Sequence, residues 1–224
     1  AAALCAGLRA LGKTAYLLPN PELTDTAAPY FRPYAAPADF QPERVVSTDI
    51  AAAALFPENA KPYAERVDLA IDHHPSFEGF GRENYVRPSA AATGEIIYDI
   101  LAELGPITAE MALPLYVAVS TDCGCFAYNN TTAHTHAVAA ALLRTGIDFQ
   151  AVNKTFFRTK TKKRLALEAA MLGEIEYHDH GRVAVLAVPL SLIAKVQATE
   201  TDAEDLSALG GQIEGVDCAV TMRE

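Results

Sequence analysis

The sequence contains no run of apolar residues long enough to cross a membrane. A membrane helix needs about 18 or more apolar residues in succession, and the longest apolar stretch, residues 183–194, is interrupted by Pro189 and Ser191. No charged region precedes an apolar segment at the N-terminus, so no signal peptide is visible. These absences predict a cytoplasmic protein that has no membrane partner.

The sequence also has few cysteines and a negative net charge. The four cysteines are scattered and form no C-x-x-C pair, so neither a disulfide framework nor a zinc site is indicated. Cys123 and Cys125 form a lone C-x-C, which is a weak zinc signal, and reduced structural cysteines are the better interpretation. The formal net charge of −10 argues against a general binder of polyanions such as long duplex nucleic acid. Any phosphate must therefore be recognised at a local site.

The remaining composition is that of an ordinary globular protein. Half of the residues are hydrophobic and 21% are charged, which is ordinary for a globular protein. A length of 224 residues allows one large or two modest domains. Apolar segments that alternate with helical patterns predict an α/β domain with a mainly parallel sheet flanked by helices. The expected strands cover residues 14–18, 44–47 and 67–71, and loops are expected at 19–42, which contains six prolines, and at 75–88.

A second, smaller α/β domain is expected near the C-terminus. Residues 175–177 and 182–188 are typical of two strands joined by the tight turn HDHG, and residues 216–222 of a final strand. We therefore divide the chain into a first domain at residues 1–152, a basic linker or helix at 153–172, and a second domain at 173–224.

Acidic and imidazole side chains gather where the expected strands end. The segment LAIDHHPS ends a buried strand with Asp72, His73 and His74, and Asp49 follows the strand before it. Ligands of parallel sheets bind at the carboxyl ends of the strands, and buried charged groups need partners. Asp122 comes at the end of a segment expected to be helical, and it belongs to the same group of acidic and imidazole side chains. Carboxylates and imidazoles together suit divalent ions such as Mn²⁺, so these residues predict a metal site.

Several motifs resemble the DHH phosphoesterase family. IDHHPS resembles the motif that names the family, RVVSTD resembles its second motif, and VAVSTDCGCFAYNNTT resembles its fourth. SAAATGEIIYDIL, between them, is similar to the helix that follows the namesake motif. The motifs occur in the family's order and the resemblance spans essentially the whole chain. It implies an N-terminal DHH domain and a partial DHHA1-like second domain.

The resemblance also implies a role for each residue of the cluster. Asp49 would bridge two metal ions, and His73 and Asp122 would both bind to one of these ions. His74 would lie at the metal centre and contact the substrate phosphate. Asp72 would accept a hydrogen bond from an imidazole and fix its tautomer, as metal-bound histidines usually require. His74 and Asp72 are thus the expected catalytic residues beside the metal ligands.

Two family motifs have no counterpart in the chain. The first motif, an Asp-x-Asp, would precede the helix AAALCAGLRALGK, and a glycine-rich segment would follow EGVDCAVTMRE. We therefore expect a fragment that binds metal weakly and turns over poorly alone.

A basic segment lies between the two expected domains. Six of the 18 lysines and arginines fall within residues 154–164, and Phe156 and Phe157 are interleaved with them. Arg158, Lys160 and Lys162 are candidates for binding the phosphates of a short nucleotide chain. A solvated linker with its phenylalanines in the core explains the same pattern, and both interpretations stay open.

The resemblance implies a metal-dependent phosphoesterase. The most similar branch of the family cleaves short oligoribonucleotides and removes phosphate from adenosine bisphosphate. The expected cofactors are two Mn²⁺ ions, with Mg²⁺ or Co²⁺ as alternatives, and the expected partner is a short RNA or a nucleotide phosphate. A cyclic dinucleotide phosphodiesterase, an inorganic pyrophosphatase and a non-catalytic nucleotide sensor remain alternatives, and a homodimer is left open.

Overall fold

A computed structural model describes residues 1–21, 23–203 and 206–224. The chain forms two compact units, Ala1–Arg158 and Thr159–Glu224. Within the described residues, no helix combines the length and the apolarity that crossing a membrane requires.

The first unit is built mainly from helices around a small sheet. Its helices are α1 (Ala2–Ala10), α2 (Ala28–Phe31), α3 (Lys61–Ala64), α4 (Thr93–Leu104), α5 (Ala109–Asp122), α6 (Ala133–Leu143) and α7 (Phe149–Asn153), followed by a π-helical turn at Lys154–Arg158. The hydroxyls of Thr108 and Thr132 accept from backbone amides and cap α5 and α6, and the carboxylate of Asp148 does so for α7.

Three parallel strands form the sheet of the first unit. They are β1 (Val46–Thr48), β2 (Leu69–Asp72) and β3 (Glu83–Val86), in the order β1-β2-β3. Thr48 pairs with Ile71 and Asp72 pairs with Val86, so the strands end at one edge of the sheet. The mainly parallel sheet flanked by helices that the sequence predicted is confirmed.

Alternate residues of β2 serve two separate cores. Ile71 faces a large core built from α1, α4, α5 and α6, while Ala70 faces a smaller core that contains Phe56 and Val67. Side chains of a strand alternate between the faces of its sheet, so β2 is apolar on both faces. Burial on both faces holds its carboxyl end, and the polar residues there, in a fixed position.

Besides short 3-10 turns, the described part of the second unit contains two α-helices and three strands. Helices α8 (Lys162–Gly173) and α9 (Leu190–Lys195) accompany strands β4 (Glu176–His178), β5 (Val183–Val188) and β6 (Cys218–Arg223). β5 pairs antiparallel with β4 and parallel with β6. Ala184, Leu186 and Val188 of β5 lie in this unit's own core.

Two expectations about the first unit are wrong. Residues 14–18 form only an isolated bridge at Leu17, because this short segment leads directly into Pro19 and its proline-rich neighbours. The expected loop at 75–88 contains β3. Its sequence ENYV is largely exposed at the sheet edge, so it lacks the apolar pattern of a buried strand.

Candidate metal centre

The candidate site lies at the carboxyl edge of the parallel sheet. Asp49 directly follows β1, Asp72 is the last residue of β2 with His73 and His74 behind it, and Asp122 is the last residue of α5. The backbone N–H of Asp49 donates to the carbonyl of Ile71 (3.0 Å), so the two strand ends are joined by a hydrogen bond. Sheet pairing therefore brings together residues that are far apart in the sequence.

His73 stands between the two outer carboxylates. Its Nε2 lies 3.6 Å from Asp49 Oδ1 and 3.6 Å from Asp122 Oδ2. Its Nδ1 lies 3.1 Å from the carbonyl oxygen of Ala90. A carbonyl only accepts hydrogen bonds, so Nδ1 carries a proton, and in the neutral imidazole Nε2 presents its lone pair to the space between the carboxylates.

His74 is held by its own strand. Asp72 Oδ1 accepts from the His74 backbone N–H (2.7 Å) and lies 2.6 Å from His74 Nδ1. His74 Nδ1 is also 3.9 Å from Asp49 Oδ1. Asp72 is 1% exposed and His74 is 42% exposed, so the buried carboxylate anchors an imidazole that stays open to solvent.

The backbone of Asp49 has an unusual conformation. Its φ of 64° lies in the left-handed region, which few residues other than glycine adopt. The hydroxyl of Thr93, in the first turn of α4, donates to Asp49 Oδ1 (2.8 Å). Asp49 is 46% exposed, so this hydrogen bond and the backbone conformation, rather than close packing, aim its carboxylate.

Negative charge accumulates around Asp122. Burial, and after it the neighbouring carboxylate of Asp49, raise the pKa of Asp122 to about 6 against the smaller opposing influence of His73 and His74. Two carboxylates that face one imidazole nitrogen leave a site where added positive charge is favourable.

The donor set fits a divalent ion. Bonds of about 2.1 Å to nitrogen and oxygen place neighbouring ligand atoms about 3 to 3.5 Å apart around a common ion. The two separations of 3.6 Å from His73 Nε2 are close to this spacing. One ligand atom from each of Asp49, His73 and His74 can be chosen so that all lie within 4.8 Å of one another. Small side-chain adjustments therefore suffice for these residues to bind a metal ion.

Three supporting residues were not predicted from the sequence. Thr93 contacts Asp49, Glu95 accepts from the backbone of Ala91, and Asn130 donates to the carbonyls of Ala91 and Asp122. The sequence contained an indication that Glu95 has a special role, because this acidic residue stands beside Ile96 and Ile97 on the helix face that packs into the core. Thr93 and Asn130 look like ordinary helix-start and turn residues.

The basic candidates belong to other segments of the chain than the acidic and histidine residues of the candidate site. Arg158 ends the π-helical turn of the first unit and is exposed. In the second unit, Lys160 Nζ lies 2.8 Å from Glu168 Oε2, and Lys162 is the exposed first residue of α8. Phe156 packs against the large core of the first unit. Binding of substrate by these cations stays a prediction, as do the roles assigned to the acidic and histidine residues.

Fold and site define an α/β protein with a candidate metal centre at the end of its parallel sheet. No family model matches the chain. The chain is 29% identical over 219 residues to the bifunctional oligoribonuclease and PAP phosphatase NrnA of Thermus thermophilus, covering 97% of this chain and 65% of the relative. It is 24% identical over 155 residues to the protein of the same name from Bacillus subtilis, covering 66% of this chain and 48% of the relative. The resemblance drawn from the motifs is thereby confirmed.

The chain spans about two thirds of the Thermus relative and about half of the Bacillus relative. Among solved structures, an exopolyphosphatase-related protein from Bacteroides fragilis matches with a TM-score of 0.70 and 23% identity. That match covers 80% of this chain and 55% of the other. At this identity the likeness concerns the fold alone, and it agrees with the α/β architecture described above.

Proposed function

We propose that this chain forms the metal-binding part of a phosphoesterase that hydrolyses short oligoribonucleotides or nucleotide phosphates. The observation that carries the proposal is the convergence of Asp49, His73 and Asp122, from three separate motifs, with His73 Nε2 3.6 Å from each carboxylate. The relatives named oligoribonuclease and PAP phosphatase support the choice of substrate class.

In this proposal Asp49, His73 and Asp122 hold divalent ions, which we take to be two Mn²⁺. Bound ions would supply an activated water and stabilise negative charge on the phosphoryl group. The residues of the chain prepare the site. The fixed Nδ1–H tautomer of His73 leaves Nε2 free to bind, and the hydrogen bond from Thr93 orients Asp49.

His74 has the position of a substrate contact. Its Nδ1 is engaged by Asp72, so its Nε2 is the ring nitrogen left for a phosphate oxygen. An imidazole that donates there would hold the phosphoryl group beside the carboxylates and oppose its negative charge. Arg158, Lys160 and Lys162 are proposed to bind the remaining phosphates of the substrate. The cytoplasmic location and the homodimer considered above stay predictions.

Hydrolysis of a 5′-phosphorylated diadenylate tests the proposal. We expect Mn²⁺-dependent release of mononucleotide that His73→Ala reduces by at least about a hundredfold, because the variant lacks a metal ligand. His178→Ala is the matched control, since His178 is an exposed histidine on β4 in the second unit. Measurable Mn²⁺-dependent turnover by the control that His73→Ala retains in full would refute the proposal.

The same experiment separates the alternatives. Mn²⁺-dependent binding of the diadenylate without hydrolysis would favour a nucleotide sensor. Hydrolysis of a cyclic dinucleotide in preference to the linear one would favour the cyclic dinucleotide phosphodiesterase. Release of phosphate from pyrophosphate, with the diadenylate untouched, would favour the pyrophosphatase.

A further inference from the structure

One peptide group lies between His73 and a buried glutamate. The carbonyl of Ala90 is 3.1 Å from His73 Nδ1, and the N–H of Ala91 donates to Glu95 Oε2 at 3.2 Å. The carbonyl of residue 90 and the N–H of residue 91 belong to the same planar peptide unit. Glu95 and His73 therefore bind opposite ends of one rigid group.

The burial of Glu95 sets it apart from an ordinary helix cap. A glutamate at the third position of a helix commonly reaches back to the N–H of the capping residue while exposed to water. Glu95 is 1% exposed and reaches instead to Ala91, one residue before the cap of α4. Its Oε1 has no hydrogen-bond partner within the described part of the chain. Removing a carboxyl group from water costs free energy, and a helix cap does not require that burial.

The segment that carries this peptide is fixed from a second direction. Asn130 Nδ2 donates to the carbonyl of Ala91 (3.0 Å) and to the carbonyl of Asp122 (3.1 Å). Ala90, Ala91 and Ala92 are all buried. The same short segment is thus joined to His73, to α4 and to the end of α5, so its position controls the spacing between His73 and Asp122.

We infer that Glu95 is a positioning residue, which holds His73 in its Nδ1–H tautomer through the Ala90–Ala91 peptide. An acceptor at the N–H of a peptide polarises that peptide and makes its carbonyl a stronger acceptor. The stronger carbonyl holds the proton on Nδ1 and aims Nε2 between Asp49 and Asp122. The consequence for metal binding rests on the proposed function, whereas the tautomer does not.

The test begins with the metal-free protein. Two-bond ¹H–¹⁵N correlation spectra of the ¹⁵N-histidine-labelled chain report the tautomer of each imidazole, and the signals lost in His73→Ala assign His73. We expect pure Nδ1–H in the parent chain, a mixture of tautomers in Glu95→Leu, and recovery of Nδ1–H in Glu95→Gln, whose amide oxygen still accepts from Ala91. Glu103→Leu, at an exposed position of the same helix, is the matched control.

Titration with Mn²⁺ completes the test. We expect Glu95→Leu to weaken Mn²⁺ binding about tenfold, as loss of a group that orients a ligand typically does, and Glu95→Gln to weaken it less. Leu101→Ala, at a buried core position of the same helix, controls for lost stability alone. Pure Nδ1–H in Glu95→Leu, with Mn²⁺ affinity equal to that of Leu101→Ala, would overturn the inference.

Two further results have a defined meaning. If Glu95→Leu does not fold, the Nδ1 proton of His73 is compared between Glu95→Gln and the parent. An upfield shift in the variant supports the inference, and an unchanged shift overturns it. A tautomer that depends on Glu95 in a chain that neither binds Mn²⁺ nor hydrolyses the diadenylate supports the inference and refutes the phosphoesterase proposal.

Discussion

At the scale of single residues, Asp49 shows how a carboxylate can be oriented without close packing. Its left-handed backbone turns the chain sharply at the end of β1, and the hydroxyl of Thr93 fixes one carboxylate oxygen. Strained conformations persist when neighbouring contacts hold them, and they concentrate at functional sites. Thr93 is buried, so its hydroxyl is itself held in place by the start of α4.

Replacing Thr93 tests this arrangement. We expect Thr93→Val to weaken Mn²⁺ binding about tenfold, because the isosteric side chain lacks the hydroxyl that orients Asp49. Thr93→Ser keeps the hydroxyl and should bind within about threefold of the parent chain. Isothermal titration with Mn²⁺ measures both variants. Equal affinity of the valine and serine variants would show that the hydrogen bond does not orient the ligand.

The sequence predicted which acidic and histidine residues come together, but not the residues that support them. Asp49 and Asp72–His74 follow apolar strands, and parallel strands end at a common edge, so their proximity follows from the pattern. Thr93 donates a hydrogen bond to Asp49, 44 residues earlier in the sequence, and Asn130 donates one to Ala91, 39 residues earlier. Such contacts depend on how α4 packs against the sheet and against α5, which no local pattern specifies.

At the scale of elements, the turn after α5 carries the most unusual backbone in the first unit. Gly124, Cys125 and Phe126 all have positive φ angles, between 53° and 67°. The ring of Phe126 stacks on His136 with centroids 5.4 Å apart, which ties the turn to α6. This turn directly follows Asp122, so its shape determines where that carboxylate points.

Two glycine substitutions separate the effect on the site from the effect on stability. Gly146→Ala should lower the free energy of unfolding by about 1 kcal/mol, because the positive φ of 84° is unfavourable for alanine. No atom lies within 4 Å of the added Cβ at this position, so no clash adds to this loss. Gly124→Ala should lower the free energy of unfolding by about 2 kcal/mol, because φ is also positive and the added Cβ meets the ring of Tyr128. Urea denaturation followed by circular dichroism measures both free energies of unfolding.

The same pair makes a prediction about metal binding. Displacing the Gly124 turn moves the end of α5, so Gly124→Ala should also weaken Mn²⁺ binding, whereas Gly146→Ala should leave the affinity unchanged. Equal Mn²⁺ affinities of the two alanine variants would show that the turn does not position Asp122.

The elements differ in how far the sequence determines them. Helix α4 carries a clear local signal, because its apolar residues recur at helical spacing and Gly105 follows its end. Strand β3 was missed because an edge strand with three exposed residues carries no apolar alternation, and it forms only by pairing with β2. The local sequence pattern therefore identifies helices and strands that bury an apolar face, and it misses strands that form only by pairing with a neighbour.

At the scale of the whole molecule, each unit has core residues of its own, which implies a separate stability for each unit. In the second unit, a hydrogen-bond network surrounds the buried carboxylate of Asp202. This carboxylate accepts from the hydroxyl of Thr161, which caps α8, and from the backbone N–H and the hydroxyl of Thr199. Arg164 donates to the backbone carbonyl of Asp202 at 3.0 Å. These contacts connect the first turn of α8 to a segment about 40 residues later.

This network makes the second unit sensitive to acid. Hydrogen bonds from Thr161 and from the backbone of Thr199 hold the pKa of Asp202 below its usual value of 3.8. A lowered pKa in the folded state contributes stability that is present above about pH 4 and is lost as the pH falls through the folded pKa. Glu168, paired with Lys160 and Arg164, also has a lowered pKa and adds to the same trend.

Hydrogen exchange resolved by mass spectrometry tests this prediction for each unit within the intact chain. Protection factors, which correct for the intrinsic pH dependence of exchange, should fall for residues 159–224 as the pH drops below about 4. In Asp202→Asn the side chain no longer titrates, so the fall should be smaller, although protection near neutral pH starts lower because the charged acceptor is lost. Asp217→Asn, at an exposed aspartate of the same unit, should keep the parent's pH dependence. An acid-induced fall of the same size in Asp202→Asn and in the parent would show that the pH dependence originates elsewhere in the unit.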